Sequence, residues 1–494
     1  MEKNMLKKDM LNKANQYAQN NKLNKRYKPI YHISPPIGWM NDPNGLCFFK
    51  GEYHAFFQYH PYESVWGPMH WGHAKSKDLI NWEYLPVALA PDSECDEVGC
   101  FSGSAIEHDG KLFLIYTGVN RNERNQDMQT QCIAYSEDGI NFKKIEQNPV
   151  LTAKDLPESC QKYSGEFRDP KVFIIEGTYY MVTVAKADDN KGQILMYKSN
   201  DLTNWEFVNI IYQNDKLGTM FECPDMFSLD GKDVMLMSPM FVPREAHRFH
   251  NLHSAVYVVG KLEDDSFKEE YHDEIDGGLD FYAPQTFFDG ETRIMIGWLQ
   301  SWGRTIPTHE MGHNWACSLS LPRELTLLDN KLIQRPVGFV CNYRKTQAKY
   351  TYQKVSGFKQ FEYVKGDVCE IGLDVDVKNT NFFVINILKT DKEKASIIFN
   401  KEQGTLAFDR SAIKNTILGE EAIPVSSRYV PINLKDNKFS LNFFIDKCIV
   451  EIFVNGGEQV LSSTVYPEGE KAEIEFWADG VATLESLLCW QLRI

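Results

Sequence analysis

Short apolar runs, each broken at a glycine and resumed on its far side, recur along the first two thirds of the chain. "FFKGEYHAFFQ" has relatives in "EHDGKLFLIYTG", "IIEGTYYMVTV", "SLDGKDVMLMS" and "FFDGETRIMIGW". Each is an apolar strand, a tight turn and a second strand of alternating apolar residues, which is the hairpin signature. The glycines are Gly51, Gly110, Gly177, Gly231 and Gly290, separated by 59, 67, 54 and 59 residues. Five copies at roughly the length of one propeller blade predict an all-β fold with a five-bladed β-propeller.

A second repeat keeps the same phase. "SKDLINW" (76–82), "SEDGINF" (136–142) and "SNDLTNW" (199–205) read as the turn and outer strand that close a blade, with Trp82, Phe142 and Trp205 as core aromatics between neighbours. The repeats stop after "LSLPREL" (319–325), and from about 346 strict alternation takes over. In "EIGLDVDV", Ile371, Leu373, Val375 and Val377 face one way and polar residues the other. "SLNFFIDKCIVEIFVNGGEQV" reads as two strands joined at Asp446-Lys447, then a turn at Asn455-Gly456-Gly457. Several such strands predict a C-terminal β-sandwich. At the other end Leu6, Met10, Ala14, Tyr17 and Ala18 fall at helical spacing, so residues 1–27 are expected to form a short amphipathic helix and its exit. The expected division is then 1–27, a propeller over 28–325, a connection over 326–345 and a sandwich over 346–494.

Aligning the blades on their glycines brings three acids into view. Asp42 precedes Pro43 in blade one, Asp169 precedes Pro170 in blade three, and Glu222 lies in Glu222-Cys223-Pro224 of blade four. They precede their glycines by 9, 8 and 9 residues, with Ser102 and Tyr282 at an offset of 8 in blades two and five. A lone acid before proline is usually a turn residue. In a propeller, however, the first strand of every blade lines the central axis, so equivalent positions converge. Three clustered carboxylates repel one another and are costly unless used. The chemistry that suits such a cluster is glycoside hydrolysis, in which one carboxylate attacks or activates water and one carboxylic acid protonates the leaving oxygen. That chemistry needs no metal or organic cofactor, so none is expected, and "HRFHN" (247–251) reads as a loop.

A formal net charge of -15 over 494 residues argues against nucleic acid or an anionic membrane surface as partner. Eleven scattered cysteines with no CxxC pair read as reduced thiols. Without a secretory signal pattern near the N-terminus or a run of 18 apolar residues, the expected location is the cytoplasm.

With these residues in hand, the sequence resembles the β-fructofuranosidases of glycoside hydrolase family 32, the invertase family. The resemblance rests on "WMNDPNG" (39–45), "FFQYHP" (56–61), "WGPMHWGHAKSKDLINWEYLPVAL" (66–89), "FSGSA" (101–105), "FRDPKV" (167–172), "ECPDMF" (222–227), "DFYAPQT" (280–286) and "LPREL" (321–325). It implies a five-bladed propeller plus a sandwich, and a retaining mechanism through a covalent fructosyl-enzyme. It also implies Asp42 as nucleophile, Glu222 as general acid then base, and Asp169 as holder of fructose hydroxyls and stabiliser of the transition state. Asn41, Gln58 and Arg168 would bind sugar hydroxyls or orient carboxylates, and Phe101 and Ser102 would line the fructose site. Trp39, Met40, Trp66, Tyr282 and Trp302 complete the expected substrate pocket, and Cys223 adjoins the acid.

The expected substrate is a small fructoside, sucrose 6-phosphate or sucrose, since the intracellular members of the family that this chain most resembles act on the phosphorylated sugar. Arg304 and His309 are the candidate phosphate cations. The alternatives are a fructan or fructooligosaccharide hydrolase indifferent to phosphate, an inverting arabinanase-like enzyme, and a non-catalytic binding propeller. The resemblance leaves a homodimer open.

Overall fold

The computed structural model describes residues 2–494, with side chains from Asp9 onward. It contains a five-bladed β-propeller, a β-sandwich behind it, and one N-terminal helix (Glu2–Asn20). The helix lies on the outer strand of blade one, burying Ala14, while Asn15 accepts a hydrogen bond from the Val87 amide at 2.9 Å. Leu6, one of the apolar positions predicted for this helix, lies outside the residues whose side chains are described.

Each blade is a four-stranded antiparallel meander. Blade one runs Gly38–Phe49, Glu52–His60, His70–Ser76 and Trp82–Leu89, and blades two to four repeat that order. The glycine of the inner hairpin has a conformational task. Lys50 and Gly51 both have positive φ (49° and 82°), as do Asp109-Gly110, Glu176-Gly177 and Asp230-Gly231. Two successive left-handed residues make the tight turn whose twist matches the strands. A Cβ at Gly51 would meet nothing within 4 Å, so backbone geometry, not space, selects glycine there. The "SKDLINW" repeat closes the outer hairpins by one device. Asp78, Asp138 and Asp201 each accept two backbone N–H groups two and three residues on, while the indoles of Trp82 and Trp205 donate to Leu79 and Leu202 carbonyls.

Blade five departs from the expected boundary. Its strands are Tyr282–Phe288, Arg293–Trp298, Arg323–Leu328 and Lys331–Pro336, so residues 326–336 pair within the propeller instead of connecting it. Between its second and third strands the chain makes an excursion over residues 299–322. There Trp315 and Ala316 pair in parallel with Gly38 and Trp39 of blade one, and the Leu319 amide donates to the Ile33 carbonyl at 2.8 Å. The ring therefore closes through this excursion, without a blade shared between the chain's two ends.

The sandwich is built from strands between Arg344–Lys359 and Glu473–Leu492 around one apolar core. Its last strand passes from one layer to the other, pairing with Val368–Asn379 along residues 481–491 and with Phe382–Lys389 along 473–478. Propeller and sandwich meet through buried ion pairs. Arg323 reaches Asp276 at 2.9 Å and Glu451 at 2.5 Å, and His32 lies between Asp446 (2.8 Å) and Glu451 (2.9 Å). Burial alone would lower the His32 pKa, but the two carboxylates outweigh it and raise it to about 9. Among the described residues, no helix is long and apolar enough to cross a membrane.

Candidate active site

The innermost strand of every blade breaks register at an equivalent place, and blade one has a second irregularity between Asn44 and Cys47. The equivalent irregularities fall between Met40 and Pro43, Phe101 and Gly103, Arg168 and Lys171, Glu222 and Asp225, and Tyr282 and Gln285. Proline stands at four of these bulges (Pro43, Pro170, Pro224, Pro284) and Gly103 at the fifth. Proline lacks the N–H that a ladder needs and is tolerated at bulges. The bulge re-aims the residues before it, and the backbone is strained there. Asp169, Cys223 and Ala283 have positive φ (61°, 48° and 48°), which costs about 1–3 kcal/mol each for non-glycine residues.

The bulges sort the site into two rings. Immediately before the proline or glycine stand Asp42, Ser102, Asp169, Cys223 and Ala283; one residue earlier stand Asn41, Phe101, Arg168, Glu222 and Tyr282. Counting from the hairpin glycines put Glu222 and Tyr282 in register with Asp42. The strand pairing makes Cys223 and Ala283 the counterparts of Asp42 and places Glu222 and Tyr282 beside Asn41 and Arg168.

Contacts follow the rings. Asp42 is buried and accepts hydrogen bonds from Ser102 Oγ to Oδ2 at 2.6 Å, from Asn41 Nδ2 to Oδ1 at 3.0 Å and from the Cys223 thiol at 3.4 Å. Burial raises its pKa; the Ser102 bond opposes this and the charge of Glu222 adds to it. Asp169 accepts the Cys223 amide at 2.8 Å, and its own amide donates to Thr117 Oγ1 at 2.9 Å. Burial lifts the Asp169 pKa to about 7 against the pull of Arg168, so near neutrality it can both donate and accept hydrogen bonds. The same burial, reinforced by the three acids, pushes the Cys223 thiol well up and keeps it a neutral donor.

In the second ring, Glu222 is held from two sides. Arg168 Nη2 donates to Oε1 at 3.2 Å, and the Tyr282 hydroxyl lies 2.8 Å from Oε2. Burial acts against the charge of Arg168, but Glu222, Glu166 and Asp169 prevail and raise its pKa. Tyr282 is pushed up by burial and then by Glu222, so the phenol stays protonated. Glu166 and Gln129, both absent from the sequence expectation, also accept from Arg168 Nη1, at 2.5 and 3.4 Å. Glu166 stands two residues from Arg168, which was the available signal; Gln129 comes from a neighbouring blade and had none.

Around these groups, the Trp39 indole donates to Asn41 Oδ1 at 2.8 Å and stacks on Trp302 with centroids 6.3 Å apart. Trp66, half exposed, meets Phe101 edge-on at 5.9 Å. Gln58 is buried and donates to the Cys100 carbonyl. Met40, one of the expected pocket residues, has no exposed surface and packs in the propeller core. The phosphate candidates separate. Arg304 is turned into the domain interface, where it binds Asp280 at 2.7 Å, Asn251 and the Leu279 carbonyl, so its guanidinium is already committed. His309 is exposed and hydrogen-bonds Ser64 Oγ at 2.8 Å. His247 and His250 pack edge-on against Tyr429, and among the described residues no group of three or more His, Cys, Asp or Glu is placed to hold a metal ion.

The Glycosyl hydrolases family 32 N-terminal domain matches residues 32–336, and the family 32 C-terminal domain matches 340–491. The chain is 38% identical over 476 residues to a sucrose-6-phosphate hydrolase of Escherichia coli, covering 94% of this chain and 95% of that one. Its fold superposes on a sucrose-6-phosphate hydrolase structure from Lactobacillus gasseri with a TM-score of 0.85 at 28% identity, covering 98% and 96% of the two chains. A Bombyx mori β-fructofuranosidase gives 0.84 at 32% identity over 98% of both. Two domain matches spanning nearly the whole chain, on a propeller that gathers three acids at its axial bulges, place this protein in glycosyl hydrolase family 32.

Proposed function

We propose that the protein is a β-fructofuranosidase that hydrolyses the fructosyl bond of sucrose 6-phosphate and of sucrose, releasing fructose and glucose 6-phosphate or glucose. The observation that carries this reading is the pair of rings: a buried carboxylate, Asp42, held by three donors, faces a site where Glu222 sits between Arg168 and Tyr282. Sucrose-6-phosphate hydrolases among its relatives support the phosphorylated sugar as the preferred substrate.

In the first step Asp42 attacks the anomeric carbon of fructose while Glu222 gives its proton to the glycosidic oxygen, and the glucose portion leaves. A fructosyl ester remains on Asp42. In the second step Glu222 takes a proton from water, the water oxygen attacks the same carbon, and Asp42 departs as carboxylate. Asp169, able to carry a proton, grips fructose hydroxyls. Trp39, Trp302, Trp66 and Phe101 form the apolar walls, and His309 is the remaining cation candidate for the phosphate. All eleven cysteines are free, which supports a reducing cytoplasmic setting.

Purified protein assayed on sucrose, sucrose 6-phosphate and a fructan oligomer tests this directly. The expected order of kcat/KM is sucrose 6-phosphate, sucrose, then fructan. A preference for the oligomer would overturn the substrate assignment. Asp42→Ala should lose at least about a thousandfold in kcat with its fold intact, and an active variant would overturn the enzyme reading itself.

A further inference from the structure

Arg168 is shared. Its guanidinium holds Glu166 at 2.5 Å through Nη1 and Glu222 at 3.2 Å through Nη2, and its Nε lies 3.9 Å from Asp169. The tighter contact is the one outside the pocket, because the Glu166 side chain is 39% exposed and stands at the end of the segment Glu158–Glu166 that leads into blade three. A guanidinium wholly committed to Glu222 would favour its ionised form and work against proton donation. We propose that Glu166 is a positioning residue that divides Arg168 between two carboxylates and so limits how closely the guanidinium engages the general acid Glu222.

This rests on the reading of Glu222 as that acid. The other charged or titratable groups facing Glu222 are Asp42 from blade one, Asp169 from blade three, Cys223 on its own strand, Tyr282 from blade five and His253 from the loop following its hairpin. Unlike these groups, Arg168 also has an outlet toward solvent, through Glu166. Removing the Glu166 charge acts twice in one direction: it takes away a nearby anion and frees Arg168 to close on Glu222. Both favour the carboxylate.

The test is the pH profile of kcat/KM on sucrose for the wild type, Glu166→Gln, Glu166→Asp and Glu158→Gln, with unfolding midpoints measured alongside. Glu166→Gln should move the alkaline limb to lower pH by about one unit while the acid limb moves less. Glu166→Asp, which keeps the charge, should restore most of the wild-type limb. Glu158→Gln, on the same segment without the Arg168 contact, should leave the profile where it was. An alkaline limb that stays put or rises in Glu166→Gln, an equal displacement of both limbs, or the same displacement in Glu158→Gln would overturn the proposal. Glu222→Gln separates the two levels. If it abolishes the alkaline limb and Glu166→Gln still does not move that limb, only the role of Glu166 fails; if the limb survives in Glu222→Gln, the acid assignment fails.

Discussion

Replacing Ser102 by alanine removes one hydrogen bond from the nucleophile and should be visible as a displaced acid limb. Ser102 Oγ donates to Asp42 Oδ2 at 2.6 Å, both residues are nearly inaccessible, and the bond is the largest influence opposing the burial that raises the Asp42 pKa. Hydrogen bonds to charged groups contribute about 1.5–3 kcal/mol. At about 1.36 kcal/mol per pH unit, that is a rise of about one to two units in the pH at which Asp42 ionises. The sign is fixed because attack requires the carboxylate: with Ser102 gone, burial is less opposed, the proton is held to higher pH, and the acid limb of kcat/KM moves up while the bell narrows. Asn41 and Cys223 still donate, so a rate plateau should survive. The assay is initial-rate hydrolysis of sucrose across the full pH profile, with the unfolding midpoint as a check on the fold. An acid limb that stays in place while the plateau falls would mean that Ser102 serves the sugar and not the nucleophile, and would refute the reasoning.

Tyr282→Phe deletes a donor to Glu222 and should move the alkaline limb upward by up to about one unit, opposite in sign to Glu166→Gln; a downward shift would contradict the contact's role. Arg304→Met should cost about 3 kcal/mol in urea unfolding, because Asp280 loses one of its two buried arginines, while the ratio of kcat/KM for sucrose 6-phosphate to sucrose stays unchanged. A fall in that ratio would return Arg304 to the phosphate site. The His32 pKa is raised from 6.5 to about 9, so its contribution to the domain interface is complete below 6.5 and is lost as pH rises through about 9. His32→Gln should flatten the dependence of unfolding free energy on pH in that window.

The propeller was legible because its repeat carries its own marker. Glycine is demanded by two left-handed residues in each of four inner hairpins, so the count of blades could be made from spacing alone. The three acids were found the same way, but their register was not. A bulge inserts residues without a signature at the glycine, so counting back from Gly231 or Gly290 cannot separate Glu222 from Cys223 or Tyr282 from Ala283. Blade five hid its own end because the excursion over 299–322 separates its hairpins, leaving strands 323–328 and 331–336 outside the repeat. Arg304 was misplaced because a positive charge in a loop looks alike whether it faces the pocket or, as here, Asp280 at the domain interface. The pairing of His32 with Glu451 spans 419 positions and has no local trace.

The central claim is that Asp42 carries fructose covalently between two displacements, with Glu222 serving both. Glu222→Gln keeps the nucleophile but impairs deprotonation of water, so a fructosyl donor whose leaving group needs no protonation should load the enzyme faster than water unloads it. Acid quenching followed by peptide mass mapping should then find one hexosyl group on the peptide containing Asp42, and none in the Asp42→Ala, Glu222→Gln double variant. Turnover without any adduct, or an adduct on a different residue, would contradict the account.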